Sequence, residues 1–138
     1  MIELSRRVRF EEVDAAGIVF FGAFSTFAHE AMEHFFDQLE GGYAGLINGR
    51  RIGFPAVKLE VEFKAPLRYG DTMVIETTVG HLGNRSAAFL YRVVAGGVVC
   101  ATIRHTVVVS DLTAMRSTEM PTDVRAVLAR HLAPPATR

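Results

Sequence analysis

The sequence predicts an α+β fold in which an antiparallel sheet of about five strands wraps one long central helix. Three observations carry that expectation. Residues 24–39 place apolar side chains at helical spacing, residues 57–109 alternate apolar and polar side chains over four stretches, and glycine-containing breaks separate those stretches.

In chain order, "LSRRVRFEE" (residues 4–12) reads as a first strand with Val8 and Phe10 on one face. The helix follows. Phe24, Phe27, Ala28, Ala31, Met32, Phe35, Phe36 and Leu39 form one face, with Ser25, Thr26, His29, Glu30, Glu33, His34, Asp37 and Gln38 opposite. The aromatic stripe is a core-facing surface, and Gly41-Gly42 ends the helix. Residues 43–56 read as irregular and include Arg50-Arg51. In "VKLEVEFKA", Val57, Leu59, Val61, Phe63 and Ala65 point one way, and Lys58, Glu60, Glu62 and Lys64 the other. "PLRYGD" is a turn. "TMVIETTVGHL" and "RSAAFLYRVV" are strands parted by Gly83-Asn84, and Gly96-Gly97 marks a tight hairpin into "VVCATIRHTVVV", apolar enough for both faces to be partly covered. Residues 121–132 suggest a short amphipathic helix and residues 133–138 a flexible tail. A single helix leaves a sheet edge and a second face uncovered, so self-association is expected.

Composition narrows the function. At 138 residues the chain is read as a single domain, residues 1–138, with 49% hydrophobic and 22% charged side chains. Its 15 basic and 15 acidic residues give zero net charge, which argues against nucleic acid or an anionic membrane as partner. There is no apolar run of the roughly 18 residues that a membrane span needs, and "MIELSRRVRF" lacks the apolar block of a signal peptide, so a cytoplasmic protein is expected. Cys100, the only cysteine, can form no intrachain disulfide and reads as a core filler. His29/Glu33 and Glu30/His34 are each four apart on the helix; with no third ligand evident they read as surface ion pairs, and no metal is expected.

The chemistry concentrates in "VDAAGIVFF". Asp14 precedes a small-residue turn, Ala15, Ala16 and Gly17, and then Ile18 to Phe21 lead into the helix. Read locally, Asp14 is either a turn residue or a reactive carboxylate. Arg9-Phe10, Asp14 and Ala16-Gly17-Ile18-Val19-Phe20-Phe21, together with residues 53–77 and Arg85-Ser86, resemble the hotdog-fold acyl-CoA thioesterases, in the branch of 4-hydroxybenzoyl-CoA thioesterase. The likeness covers residues 5–121.

That resemblance implies an acyl-CoA thioesterase acting on an aromatic or short- to medium-chain acyl group, working as a homodimer or tetramer with sites at subunit boundaries. It needs no cofactor beyond the coenzyme A of the substrate. It assigns catalysis to Asp14, as nucleophile or general base, and polarisation of the thioester carbonyl to the Phe21 backbone N–H, with Gly17 letting the backbone turn beneath the substrate. A helix N-terminus presents unpaired N–H groups and about half a unit of positive charge. An aspartate in water is ionised at neutral pH and can attack a carbonyl or activate water. Phe20, Phe24 and Phe54 are candidates to line an acyl pocket. His29 stands where the 4-hydroxybenzoyl enzyme has an acidic residue at the distal end of the acyl group. Arg85, Ser86 and Arg116 are candidates for the CoA phosphates, with Arg50-Arg51 as further options.

Rival functions within the same likeness are a hydratase, a thioesterase for acyl carrier protein, and a non-catalytic acyl-CoA or acyl-carrier binder. The hydratase pattern requires a histidine at position 19, where this chain has Val19.

Overall fold

Helix α1, Ala23–Phe35, buries Phe24, Phe27, Ala28, Ala31, Met32 and Phe35 along one face, the stripe set by its sequence spacing. The computed structural model describes residues 1–134, so most of the expected tail at 133–138 lies outside the described residues. Strands β1 (Ile2–Arg7), β3 (Ala56–Phe63), β4 (Thr72–Leu82), β5 (Ser86–Ala95) and β6 (Val98–Val108) form a five-stranded sheet in the order β1-β4-β5-β6-β3. All its pairings are antiparallel. Gly96 and Gly97 both take the left-handed backbone that a two-residue hairpin needs between β5 and β6.

The sheet turns its alternate side chains toward α1. Met73, Ile75, Val79, Phe89, Tyr91, Val93, Ala101 and Ile103 are all buried on that face. Phe35 packs edge-on against Phe89 with ring centroids 5.3 Å apart, and Phe36, just past the helix, stacks on Phe54 at 4.8 Å. Helix α3, Thr122–Ala129, adds Val124, Val127 and Leu128 to the same core.

Several local expectations are corrected. The first strand ends at Arg7, not residue 12, because Phe10–Glu12 coil into a 3₁₀ turn whose Glu12 carboxylate accepts the Arg9 N–H. Val8 is therefore buried while Phe10, expected on the same face, is 75% exposed. Residues 43–56 are ordered rather than irregular. They take in all but the first residue of α2 (Gly42–Ala44), one π turn (Gly45–Gly49) and β2 (Ile52–Gly53). Strand β2 joins β7 (Ser110–Asp111) and β8 (Arg116–Ser117) in a second, three-stranded sheet. Glu30 pairs with Arg6 rather than His34, and His34 lies beside Asp37.

Strand β3 is the exposed edge. Its Val57, Leu59 and Phe63 remain 62%, 39% and 54% exposed, although Phe24 of α1 packs edge-on against the Phe63 ring at 5.1 Å. Among the described residues the outer edge of β3 has no pairing strand.

Phe35 is fully buried at the centre of the aromatic cluster. Phe35→Ala should therefore cost about 3–5 kcal/mol of unfolding free energy. Urea titration of the two proteins measures it, and a loss below about 1 kcal/mol would place the core elsewhere.

Candidate active site

Two carboxylates from distant parts of the chain meet on one guanidinium before the Asp14 turn begins. Arg6 Nη1 and Nη2 donate to Glu12 Oε1 and Oε2 at 2.9 and 2.6 Å, while Nε and Nη2 donate to Glu30 Oε2 and Oε1 at 2.8 and 2.7 Å. The guanidinium also lies over the Phe27 ring, 5.5 Å from its centroid. Burial pushes the Glu12 carboxyl up, but the hydrogen bonds from Arg6 and the Arg9 N–H outweigh it and hold it below the usual range. The hydrogen bonds to Glu30, and then to Glu12, push the Arg6 guanidinium further up. Glu12 and the helix residue Glu30 are thus fixed to each other through β1.

The turn itself is closed by its own backbone. Val13 bridges Val19, the Asp14 N–H donates to the Ile18 carbonyl at 2.9 Å, and the Gly17 N–H returns to the Asp14 carbonyl at 2.9 Å. Gly17 sits at φ +77°, the left-handed region in which a side chain is strained. Outside the turn, the Val19 and Tyr69 N–H groups tie it to the segment before β4 by bonds to the Leu67 and Gly17 carbonyls.

Asp14 Oδ1 accepts the Ala16 N–H at 2.9 Å and the Ile18 N–H at 3.3 Å. Its second oxygen has no partner among the described residues, and the side chain is exposed. The Phe20 N–H donates to the Glu12 carbonyl at 3.2 Å, and those of Ala23 and Phe24 to Phe20 and Phe21. Among the described residues that leaves the N–H groups of Phe21 and Gly22 without an acceptor at the entry to α1.

In the single chain the predicted residues border separate cavities. Asp14 and Gly17 line one of about 450 Å³ with Phe10 and Tyr69. Phe24 lines another with Phe63 and Val19, and Phe20 a third with Arg9 and Thr26. His29, Phe54 and Arg116 share a fourth, of about 560 Å³. Phe21 is 80% exposed. Ser86 opens β5, and Arg85 beside it donates to the Ser117 carbonyl at 3.3 Å. Arg50 is engaged by Asp123 in a two-pronged ion pair at 2.7 and 2.9 Å, and Arg51 reaches the Ile47 carbonyl.

Sequence reasoning passed over two polar residues in the core. Tyr91 and His105 face α1 from β5 and β6, joined by a 2.9 Å hydrogen bond between Tyr91 Oη and His105 Nδ1. His105 is 5% exposed and borders the fourth cavity. Burial, and then the charge of His29, push its imidazole down to about 4; burial pushes the Tyr91 phenol well above its usual range. The signal lay in the alternation of Ala101, Ile103, His105, Val107 and Val109, which puts a histidine in an inward-facing register.

Residues 8–128 match the family described as the thioesterase-like superfamily. A 1,4-dihydroxy-2-naphthoyl-CoA hydrolase of Nostoc punctiforme is 28% identical over 120 residues, 87% of this chain and 81% of its own length. The structure of a gentisyl-coenzyme A thioesterase superposes with a TM-score of 0.83 at 30% identity, covering 92% of this chain and 99% of that one. A thioesterase-superfamily protein from Jannaschia sp. CCS1 gives 0.89 at 27% identity, covering 96% and 94%. Fold and likeness together define a hotdog-fold thioester hydrolase. The chain belongs to the thioesterase-like superfamily.

His105 makes stability depend on pH with a definite sign. The unfolded chain's histidine takes up a proton below about 6.5, whereas the folded one resists until about 4. Between those values the unfolded state binds more protons, so falling pH removes stability, by up to about 3 kcal/mol. His105→Gln cannot titrate and should lose less unfolding free energy than the parent between pH 6.5 and 4. Parallel curves in urea melts would contradict a neutral His105.

Proposed function

We propose that the chain is an acyl-CoA thioesterase for aromatic acyl groups, with Asp14 as the reacting carboxylate and the Phe21 and Gly22 amides as the oxyanion donors. The observation that carries this reading is the pinned turn. It fixes one Asp14 oxygen on two amides, leaves the other unengaged, and leaves two N–H groups unfilled where the helix begins. Donors aimed at the oxygen that becomes negative are worth roughly 3–4 kcal/mol each in comparable acyl-transfer sites.

Hydrolysis consumes one water and yields a carboxylic acid and a thiol. The Asp14 carboxylate either adds to the carbonyl, expelling the thiolate and leaving a mixed anhydride that water opens, or takes the proton of a water that adds directly. Neither route calls on a metal or redox cofactor, and coenzyme A enters as part of the substrate. The aromatic class follows the relatives, which are named for 1,4-dihydroxy-2-naphthoyl-CoA and gentisyl-coenzyme A. Arg116, exposed at the rim of the cavity that holds His29, is the cation best placed for a CoA phosphate, with Arg85 and Ser86 nearby on the β5 side.

The working unit in this reading is a dimer joined through β3. An unpaired apolar edge favours addition of a second strand, and a two-fold axis runs the added copy antiparallel. The Phe24–Phe63 end of one subunit then adjoins Phe54 and Ala56 of the partner subunit, merging cavities that are separate in one chain.

Asp14→Asn keeps the oxygen that the Ala16 and Ile18 amides require and removes the charge. It should lower kcat on aroyl-CoA at least about 100-fold with the melting temperature nearly unchanged, as followed by thiol release. Activity within a few-fold of the parent would refute the carboxylate's role. Val57→Asp places charge on the β3 edge and should convert the dimer to monomer in sedimentation velocity, with at least tenfold loss of kcat/KM. A dimer that persists, or a fully active monomer, would contradict the shared site.

A further inference from the structure

We propose that Glu12, gripped by Arg6 and through it by Glu30, is a positioning residue that sets the Asp14 carboxylate against the amides of Phe21 and Gly22. This inference rests on the thioesterase reading above and deepens it.

The two halves of that site ride on different pieces of backbone. Asp14 belongs to a short antiparallel turn in which it pairs with Ile18, and Val13 with Val19. The Phe20 N–H closes the base of the turn on the Glu12 carbonyl. The Phe21 and Gly22 amides belong to the entry of α1. Glu12 stands between these pieces, two residues before the carboxylate and bonded to the residue before the first open amide. A displacement of Glu12 therefore moves both.

Its side chain is held tightly. Glu12 Oε1 accepts the Arg9 N–H at 2.8 Å and Arg6 Nη1 at 2.9 Å, while Oε2 accepts Arg6 Nη2 at 2.6 Å. The guanidinium engages all five of its N–H groups: two on Glu12, two on Glu30 and the last on the Arg7 carbonyl at 2.8 Å. A fork with every donor engaged has one orientation. Glu30 lies about two turns inside α1, so the turn is tied to the body of the helix rather than to its first residues. Arg6 and Glu30 border neither the Asp14 cavity nor the Phe20 cavity, and their influence passes through Glu12.

Folding stability does not account for such a cluster. The Arg6 and Glu12 side chains are only 13% and 9% exposed, and taking charges out of water offsets most of what their attraction gains. Apolar side chains of similar volume often serve a fold as well. What they lack is a fixed register. Here the register is that of a reacting carboxylate against two oxyanion donors, where a shift of about 1 Å can cost a hundredfold in rate.

The test removes the ions without leaving one unpaired. Arg6→Met/Glu12→Leu/Glu30→Leu replaces the cluster with apolar side chains that can pack on Phe27, which the guanidinium now covers. Its melting temperature should stay within about 5 °C of the parent's, while kcat on aroyl-CoA falls at least about thirtyfold. KM, and the Kd for free coenzyme A by calorimetry, should move by less than about threefold, the split expected when alignment rather than binding is lost. Arg6→Lys keeps the cation but not the planar fork, and should lower kcat at least about fivefold with KM equally unmoved. A folded triple variant with kcat within about threefold of the parent, or one in which KM carries the loss, would overturn the inference. Should the triple variant fail to fold, Arg6→Lys decides alone, and parental kcat in it would overturn the inference. Parental activity in Asp14→Asn would instead overturn the site reading beneath it, and the inference with it.

Discussion

The Arg6 guanidinium is the constraint on which the site depends. It holds Glu12, the last anchor before the Asp14 turn, and Glu30, in the middle of α1, with side-chain exposures of 13% for Arg6, 9% for Glu12 and 25% for Glu30. Two carboxylates brought this close repel each other unless the cation lies between them. Breaking a buried pair by removing one member costs about 3–5 kcal/mol. Geometry matters as much as energy here. Glu12 fixes where the turn starts, and its carbonyl takes the Phe20 N–H, so the next two N–H groups point onward without partners. The chemistry proposed for Asp14 and Phe21 is a consequence of where that ion cluster puts the backbone.

A second constraint is one of coverage. A single long helix shields β1, β4, β5 and β6, and the sheet's fifth strand remains bare along its edge. The bare strand lies next to the cavities that hold Phe24 and Phe54. In the proposed dimer, assembly and substrate binding would draw on the same apolar surface, and a pocket shared between two subunits would be dry in a way that one open chain cannot be. Electrostatic stabilisation at the oxyanion gains most where water is excluded.

Much of this was legible in the sequence where periodicity is strong. The helical stripe and the alternation through 72–82 and 98–108 gave the elements and their inward faces, although the helix expected to run to Gly41-Gly42 ends at Phe35 and passes into a 3₁₀ turn, Phe36–Gln38. The turn was legible too, since Gly17 after Asp-Ala-Ala marks a reversal. What escaped was short or non-local. Two-residue strands such as β7 and β8 carry no period, and the burial of Val8 gave no warning that the chain coils at Phe10. Nothing in the spacing of Arg6, Glu12 and Glu30 announces that they meet, because β1 and α1 approach only through the fold. His105 was hidden in an apolar run. Phe20, Phe24 and Phe54 were read together because they are aromatic, yet one chain sets them at different cavities. How two β3 edges would pair in the proposed dimer is not encoded in any local pattern.

The central claim, that the free amides of Phe21 and Gly22 receive the carbonyl oxygen of the substrate, can be read directly by amide NMR. The ligand is an unreactive aroyl-CoA analogue in which a methylene replaces the thioester sulfur, so that the ketone keeps the carbonyl and cannot be cleaved. At saturation, the Phe21 and Gly22 N–H resonances should show the largest downfield shifts of any backbone amide, as a new hydrogen bond to oxygen demands. Binding that shifts amides elsewhere and leaves these two unmoved would contradict the account.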